Sequence, residues 1–192
     1  ASNWGLVNRA DLIENAVPPD EPIPAALAGQ ADAIDACGDR WGIDLGHYVE
    51  AADGDYRLDD STSDCDAFGT ASDDADVLTI RHATFNPIPL AGLGATNGMI
   101  KIQTSRAMGS LFTGTTRPSG LATSDTQTNG LVVNSYYIDE DSETREGLPS
   151  LRRKSLGAAG GAAVVRDEEI IQGVEDLQVQ FGVDSSGDQN AD

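Results

Sequence analysis

The sequence predicts an α+β fold in which one short helix precedes a β-rich core. Three observations carry that expectation: a helical apolar period near the start, three strand-like runs from residue 76 onward, and a middle nearly free of charge. At 192 residues, with 39% hydrophobic content, the chain is long enough to bury the core of one domain.

In chain order, Leu6, Ala10, Ile13 and Val17 recur at helical spacing until Pro18 and Pro19 stop the run. This predicts a helix or helix end within 1–17. Residues 18–75 are rich in Pro, Gly, Ala, Ser and Asp, with short apolar islands such as WGIDLGHYV. They read as a long irregular excursion. Strands are expected at 76–83 (DVLTIRHA), 98–105 (GMIKIQTS) and 130–139 (GLVVNSYYID), where β-branched and aromatic residues stand between turn formers. PSLRRKSL, after the polar turn DEDSETREG, should form a hairpin with the tyrosine-rich strand. GAAGGAAVV reads as a flexible turn entering another strand. It has neither GxGxxG register nor a lysine, which argues against a phosphate loop. Near the end, Ile170, Ile171, Val174 and Leu177 keep helical spacing, whereas Leu177, Val179 and Phe181 alternate. A helical turn handing over to a strand at Leu177 is the expectation.

Charge narrows the partners. The formal net charge is −20, and residues 1–76 hold 18 Asp or Glu against three Arg, while 77–138 hold one Asp and four basic residues. The acidic flanks read as solvated surface and the middle as core strands. Nucleic acid is not an expected partner, because binding to phosphates needs clustered Lys and Arg and only Arg152, Arg153 and Lys154 cluster. No run approaches the roughly 20 apolar residues of a membrane helix.

Cys37 and Cys65 lie in the polar first third, outside any apolar run and without CxxC spacing. They are expected to form a disulfide in an oxidising compartment, the alternative being two free thiols. The two histidines, His47 and His82, read as structural or exposed. No GxSxG elbow, HExxH helix or catalytic-cysteine context occurs, and carboxylates are too abundant for any pair to single out a hydrolase. A non-enzymatic protein is expected. In the tail, Asp184, Ser186, Asp188, Asn190 and Asp192 carry side-chain oxygens at alternate positions around Gly187. That spacing imitates a calcium loop, although no Glu closes it. A solvated turn is the competing reading, so no cofactor is expected beyond this calcium.

The run IIQGVEDLQVQFGVD (170–184) with its Gly and Asp turn resembles the PilW family of type IV minor pilins, and more loosely the J-type minor pseudopilin of type II secretion. ADVLTIRHA, VVNSYYIDED and GLPSLRRKSL resemble that family's successive strands, and NWGL resembles the junction between its long helix and its head. The resemblance implies one pilin-like domain over 1–192: a truncated helix (1–17), a variable disulfide-bearing loop region (18–75) and an antiparallel β-rich core (76–192). It implies a non-enzymatic minor pilin that primes pilus assembly and sits in a tip complex. Its partners would be other minor pilins and the major pilin, with membrane contact only through an N-terminal helix. Its place would be the periplasm and inner membrane, then the pilus tip. The alternative is an extracellular calcium-dependent binding or adhesion module. Family members begin with a prepilin peptidase site and an apolar helix that this sequence does not contain, and one more strand is expected after the acidic turn.

Overall fold

A computed structural model of the chain describes residues 4–6, 9–16, 21–54, 56, 58, 64–121 and 125–182. The architecture is organised by one long strand. Leu131, Val132, Val133, Tyr136 and Tyr137 favour a pleated backbone, and the strand they form, β6, runs the 13 residues Gln127–Asp139. It follows β1 (Ile13–Glu14), β2 (Val49–Ala52), β3 (Val77–Ala83), β4 (Lys101–Thr104) and β5 (Gly109–Phe112). After it come β7 (Ser150–Ala159) and β8 (Ala162–Gln172). One edge of β6 pairs antiparallel with β3, Leu78 to Tyr136 through Ala83 to Leu131. The other edge is shared, β4 pairing with Gln127–Gly130 and β7 with Asn134–Asp139.

The main path is β1-β5-β4-β6-β3-β2, and β7 and β8 branch from the far half of β6. A single strand thus carries two sheet ends, β4–β5 at one and β7–β8 at the other. The strands expected at 76–83, 98–105, 130–139 and PSLRRKSL are β3, β4, β6 and β7. The Gly-rich segment is a tight hairpin: Ala159 faces Ala162, and Gly160 and Gly161 take φ of 59° and 87°. Both central residues at positive φ match the twist of the flanking strands.

Four expectations are corrected. Among the described residues no helix forms in 1–17; Ala10–Leu12 make one 3-10 turn, and Ile13–Glu14 pair in parallel with β5. Ile13 buries its side chain there because Gly109, opposite, has none; a Cβ on that glycine would stand 3.2 Å from Ile13 Cγ1. That parallel pair also makes the sheet mixed rather than purely antiparallel. The excursion, in turn, is not without regular structure or apolar burial. It contains α1 (Ala31–Ile34) and β2, and Leu27, Ile34, Trp41, Ile43 and Leu45 are each at most 2% exposed. Cys37 and Cys65 belong to the same buried cluster. Finally, Ile170 and Ile171 lie in β8, not in a helical turn, and among the described residues 174–182 form no strand. A bulge opposite Leu151 and Arg152 inserts Ile170, which places two isoleucines side by side.

The core lies between the sheet and the excursion. Along β3, Val77, Thr79, Arg81 and Ala83 are buried on alternate positions, as period two requires. Trp41 Nε1 donates to Ser135 Oγ at 2.8 Å, and that hydroxyl lies 2.6 Å from Thr79 Oγ1. Arg81 sits beneath the excursion. Its Nε donates to Trp41 O at 2.9 Å and its Nη1 to His47 O and Glu50.

Candidate functional site

The densest chemistry sits where β6, β7 and β8 meet the Cys65 loop. Alternation on β7 sends Arg152 and Lys154 inward and Arg153 outward, so one basic run is divided between two faces. Arg152 is 1% exposed and Lys154 2%. Buried cations require paired charge and hydrogen bonds. The neighbouring strand supplies them: Asp167 on β8 accepts from Arg152 Nε at 2.9 Å and lies 2.8 Å from Lys154 Nζ. Glu143, in the β6–β7 turn, accepts from Arg152 Nη2 at 3.0 Å.

The same cations reach across to the disulfide loop. Lys154 donates to the carbonyl oxygens of Asp66 (2.5 Å) and Asp64 (3.3 Å). The Phe68 ring covers the Arg152 guanidinium, 4.0 Å from it, in a cation–π contact. Tyr137 Oη donates to Asp167 at 2.7 Å and accepts from the Phe68 N–H at 3.1 Å. Asp139 accepts from Gly69 N–H at 2.9 Å. Tyr56 Oη donates to Cys65 O at 2.7 Å, and its ring lies 4.9 Å from that of Tyr137. Cys37 and Cys65 are bonded, with Cα atoms 5.1 Å apart, so the loop is fastened covalently at one side and by charge at the other.

The electrostatics fit a fastening. Burial, then the hydrogen bond to Asp167, pushes the Tyr137 hydroxyl well above its ordinary range, so it stays a donor. Burial works against the charge of Arg152, but Asp167 more than offsets it and the guanidinium is held more firmly protonated. Each ionic group here meets a neighbour inside the chain, and what the arrangement does chemically is hold the loop on the sheet.

The sequence-predicted site residues are placed as follows. Cys37 and Cys65 meet. His47 is exposed beside Asp44, Nδ1 to Oδ2 2.7 Å, and His82 Nδ1 contacts Ala83 O. Asp184, Ser186, Asp188, Asn190 and Asp192 lie outside the described residues. Among the described residues no three His, Cys, Asp or Glu side chains converge to hold a metal, and no helix is long and apolar enough to cross a membrane. The segment leading to that tail is seated on the start of β3: Asp76 N–H donates to Leu177 O and Val179 N–H to Asp76 Oδ2.

Geometry and chemistry together describe a β-rich scaffold whose ionic groups are spent on holding a disulfide loop. Residues 135–192 match the family model of the type IV pilus-assembly protein W, a span that begins in β6 and takes in β7, β8 and the segment beyond them. That part of the chain is therefore similar to a component of type IV pilus assembly. No curated protein and no solved structure matches the chain.

Proposed function

We propose that the chain is the globular head of a minor pilin, a non-enzymatic subunit that helps prime type IV pilus assembly within a tip complex of minor pilins. The observation that carries this reading is the family match over 135–192, which takes in the end of β6, all of β7 and β8, and the segment beyond them. A role in assembly implies a place in the cell envelope, and the disulfide suits the oxidising conditions there. The surface of that unit supports it further. Ile170, Ile171 and Phe181 are 41%, 54% and 55% exposed along and beyond the outermost strand, β8. Partly exposed apolar side chains on an edge strand suit contact with neighbouring subunits.

The test is co-purification of the protein with the other minor pilins of its own gene cluster, alongside deletion of the gene. Partners should co-elute and pili should become scarce. Normal pilus numbers with no co-eluting partner would refute the reading.

A further inference from the structure

The β4–β5 end of the molecule carries a second surface that the fastening does not use. No Asp or Glu occurs from residue 77 through residue 124, although the chain holds 32 of them. Four basic residues fall in that stretch. Arg81 and Lys101 are buried at 3% and 0% exposure, which leaves Arg106 and Arg117 to face outward or half outward. Both line an open groove of about 950 Å³. Its floor is the start of β6, and its walls are the segment around Ile88 and the β4–β5 turn at Ala107, with Leu6 at the side. Among the described residues Asp125 is the single carboxylate in the lining, so with Arg106 and Arg117 these residues make the groove net cationic on a molecule of net charge −20.

The walls are held in place. Ile88 N–H donates to Thr128 O at 2.7 Å and Thr84 N–H to Gly130 O at 2.8 Å, while Asn129 Nδ2 donates to Thr84 O at 2.7 Å. Pro87 and Pro89 fix the backbone between them. Across the groove, Ser105 N–H donates to Met108 O at 2.8 Å, and the Ser105 hydroxyl accepts from the N–H groups of Ala107 and Met108. On this rigid support Phe85 is 91% exposed and Leu90 65%. Among the described residues neither Arg106 nor Arg117 has an ion pair or hydrogen bond, and Arg117 Nε is buried without an acceptor. For the exposed and half-exposed guanidinium groups of these two arginines, a carboxylate is the strongest acceptor a partner could bring.

We infer that this groove receives an extended acidic segment bearing apolar side chains, contributed by a neighbouring protein of the pilus. Its carboxylates would pair with Arg106 and Arg117, and its apolar side chains would lie on Leu6, Pro87, Ile88 and Pro89. Charge complementarity selects this occupant: on a molecule of net charge −20 this groove offers an acidic segment two guanidinium groups without an ion pair among the described residues, beside apolar side chains. The inference rests on the assembly reading only for the identity of the partner.

The test uses the protein, a labelled dodecapeptide alternating glutamate with phenylalanine and leucine, and the same peptide with lysine for glutamate. Fluorescence anisotropy should show saturable binding of the glutamate peptide, weaker at higher salt, and no binding of the lysine peptide. Arg106→Glu with Arg117→Glu should weaken binding by about tenfold or more. Arg106→Glu alone, at an exposed position, gives a partial loss and guards against misfolding, which melting curves check. Absence of saturable binding, equal binding of the two peptides, or binding indifferent to the reversals would overturn the inference. Sedimentation of the protein alone would overturn the chosen occupant if it showed self-association that the reversals abolish. In the co-purification assay, a wild-type protein that captures partners and a double reversal that captures them equally would sink the groove while leaving the assembly reading intact. If wild type captures none, the assembly reading fails and the peptide arm still judges the groove.

Discussion

The two ends of β6 spend arginine in opposite ways. At the β7–β8 end Arg152 is 1% exposed and bonded to Asp167 and Glu143, with Phe68 over its face. At the β4–β5 end Arg106 and Arg117 make no ion pair among the described residues, although Asp125 lines the same groove. Both sites lie in a chain with far more acid than base, so scarcity of carboxylates does not explain the contrast. Topology does. The β7–β8 hairpin brings Asp167 and Glu169 opposite Lys154 and Arg152, whereas β4 and β5 come from an acid-free stretch and offer no carboxylate. A cation paired inside the chain holds the fold together, and one left unpaired is available to a partner.

The sharpest way to break this comparison is to remove the same residue type at each end. Arg152→Met should destabilise by about 3 to 5 kcal/mol, because it removes a buried cation that Asp167, Glu143 and the Phe68 ring enclose. Arg106→Ala should stay within about 0.5 kcal/mol, since an exposed, unpaired side chain has little to lose. Urea titration of both variants checks the pair of values. Equal losses at the two positions would mean that the distinction between a fastening and a free surface is wrong.

The second prediction concerns the loop the fastening holds. Replacing Cys37 and Cys65 by alanine should cost about 3 to 4 kcal/mol on the chain-entropy account, the bond spanning a sequence separation of 28. Trp41, within that loop and bonded to Ser135, reports the change by its fluorescence. In the oxidised protein, alkylation before reduction should leave both cysteines unmodified. Two alkylated thiols would remove the covalent half of the fastening.

A third substitution tests the seam between the ends. Gly98 has a φ of 85°, and a Cβ there would stand 2.5 Å from the Gly161 carbonyl carbon in the β7–β8 turn. Gly98→Ala should therefore cost about 2 kcal/mol or more from backbone strain alone, and the crowding adds to it. Gly94→Ala, with open space around the Cβ, is the matched control. Similar melting temperatures for the two variants would show that the ends are not pressed together at this point.

How much of this could be read from the sequence depends on how local each cause is. The strands β3, β4, β6 and β7 were legible because Val, Ile and Tyr alternate between turn formers, and the Gly160–Gly161 turn because glycine tolerates positive φ. β1 was not, since Ile13 becomes a strand residue only when Gly109, 96 positions later, leaves room for it. The excursion looked irregular because its apolar residues follow no period, yet Trp41 and Ile43 are buried by β3 and β6 from outside. The fastening was invisible for the same reason. RRK reads as a basic run, and only alternation on β7 and pairing with β8 turn Arg152 and Lys154 inward. The groove left one trace, the absence of acid from 77 to 124, which read as core rather than as a surface where two arginines stay unpaired.

The smallest expected effect belongs to His47, which tests whether the acidic excursion behaves as solvated surface. The hydrogen bond that the ring donates to Asp44, and then the carboxylate's charge, raise the imidazole above its ordinary value of 6.5. A raised folded value means that the protonated ring is favoured in the native state. The resulting stability is fully present below pH 6.5, declines as pH rises, and is lost once pH passes the higher folded value. Because the His47 side chain is 70% exposed, solvent screens most of this interaction, so the change should be slight and should shrink further with salt. Midpoints of urea unfolding between pH 5.5 and pH 8.5 are expected to fall a little more in the wild type than in His47→Ala. If removing His47 flattens a large pH dependence, the pair is shielded from water, and the excursion is as much a held structure as the β7–β8 end.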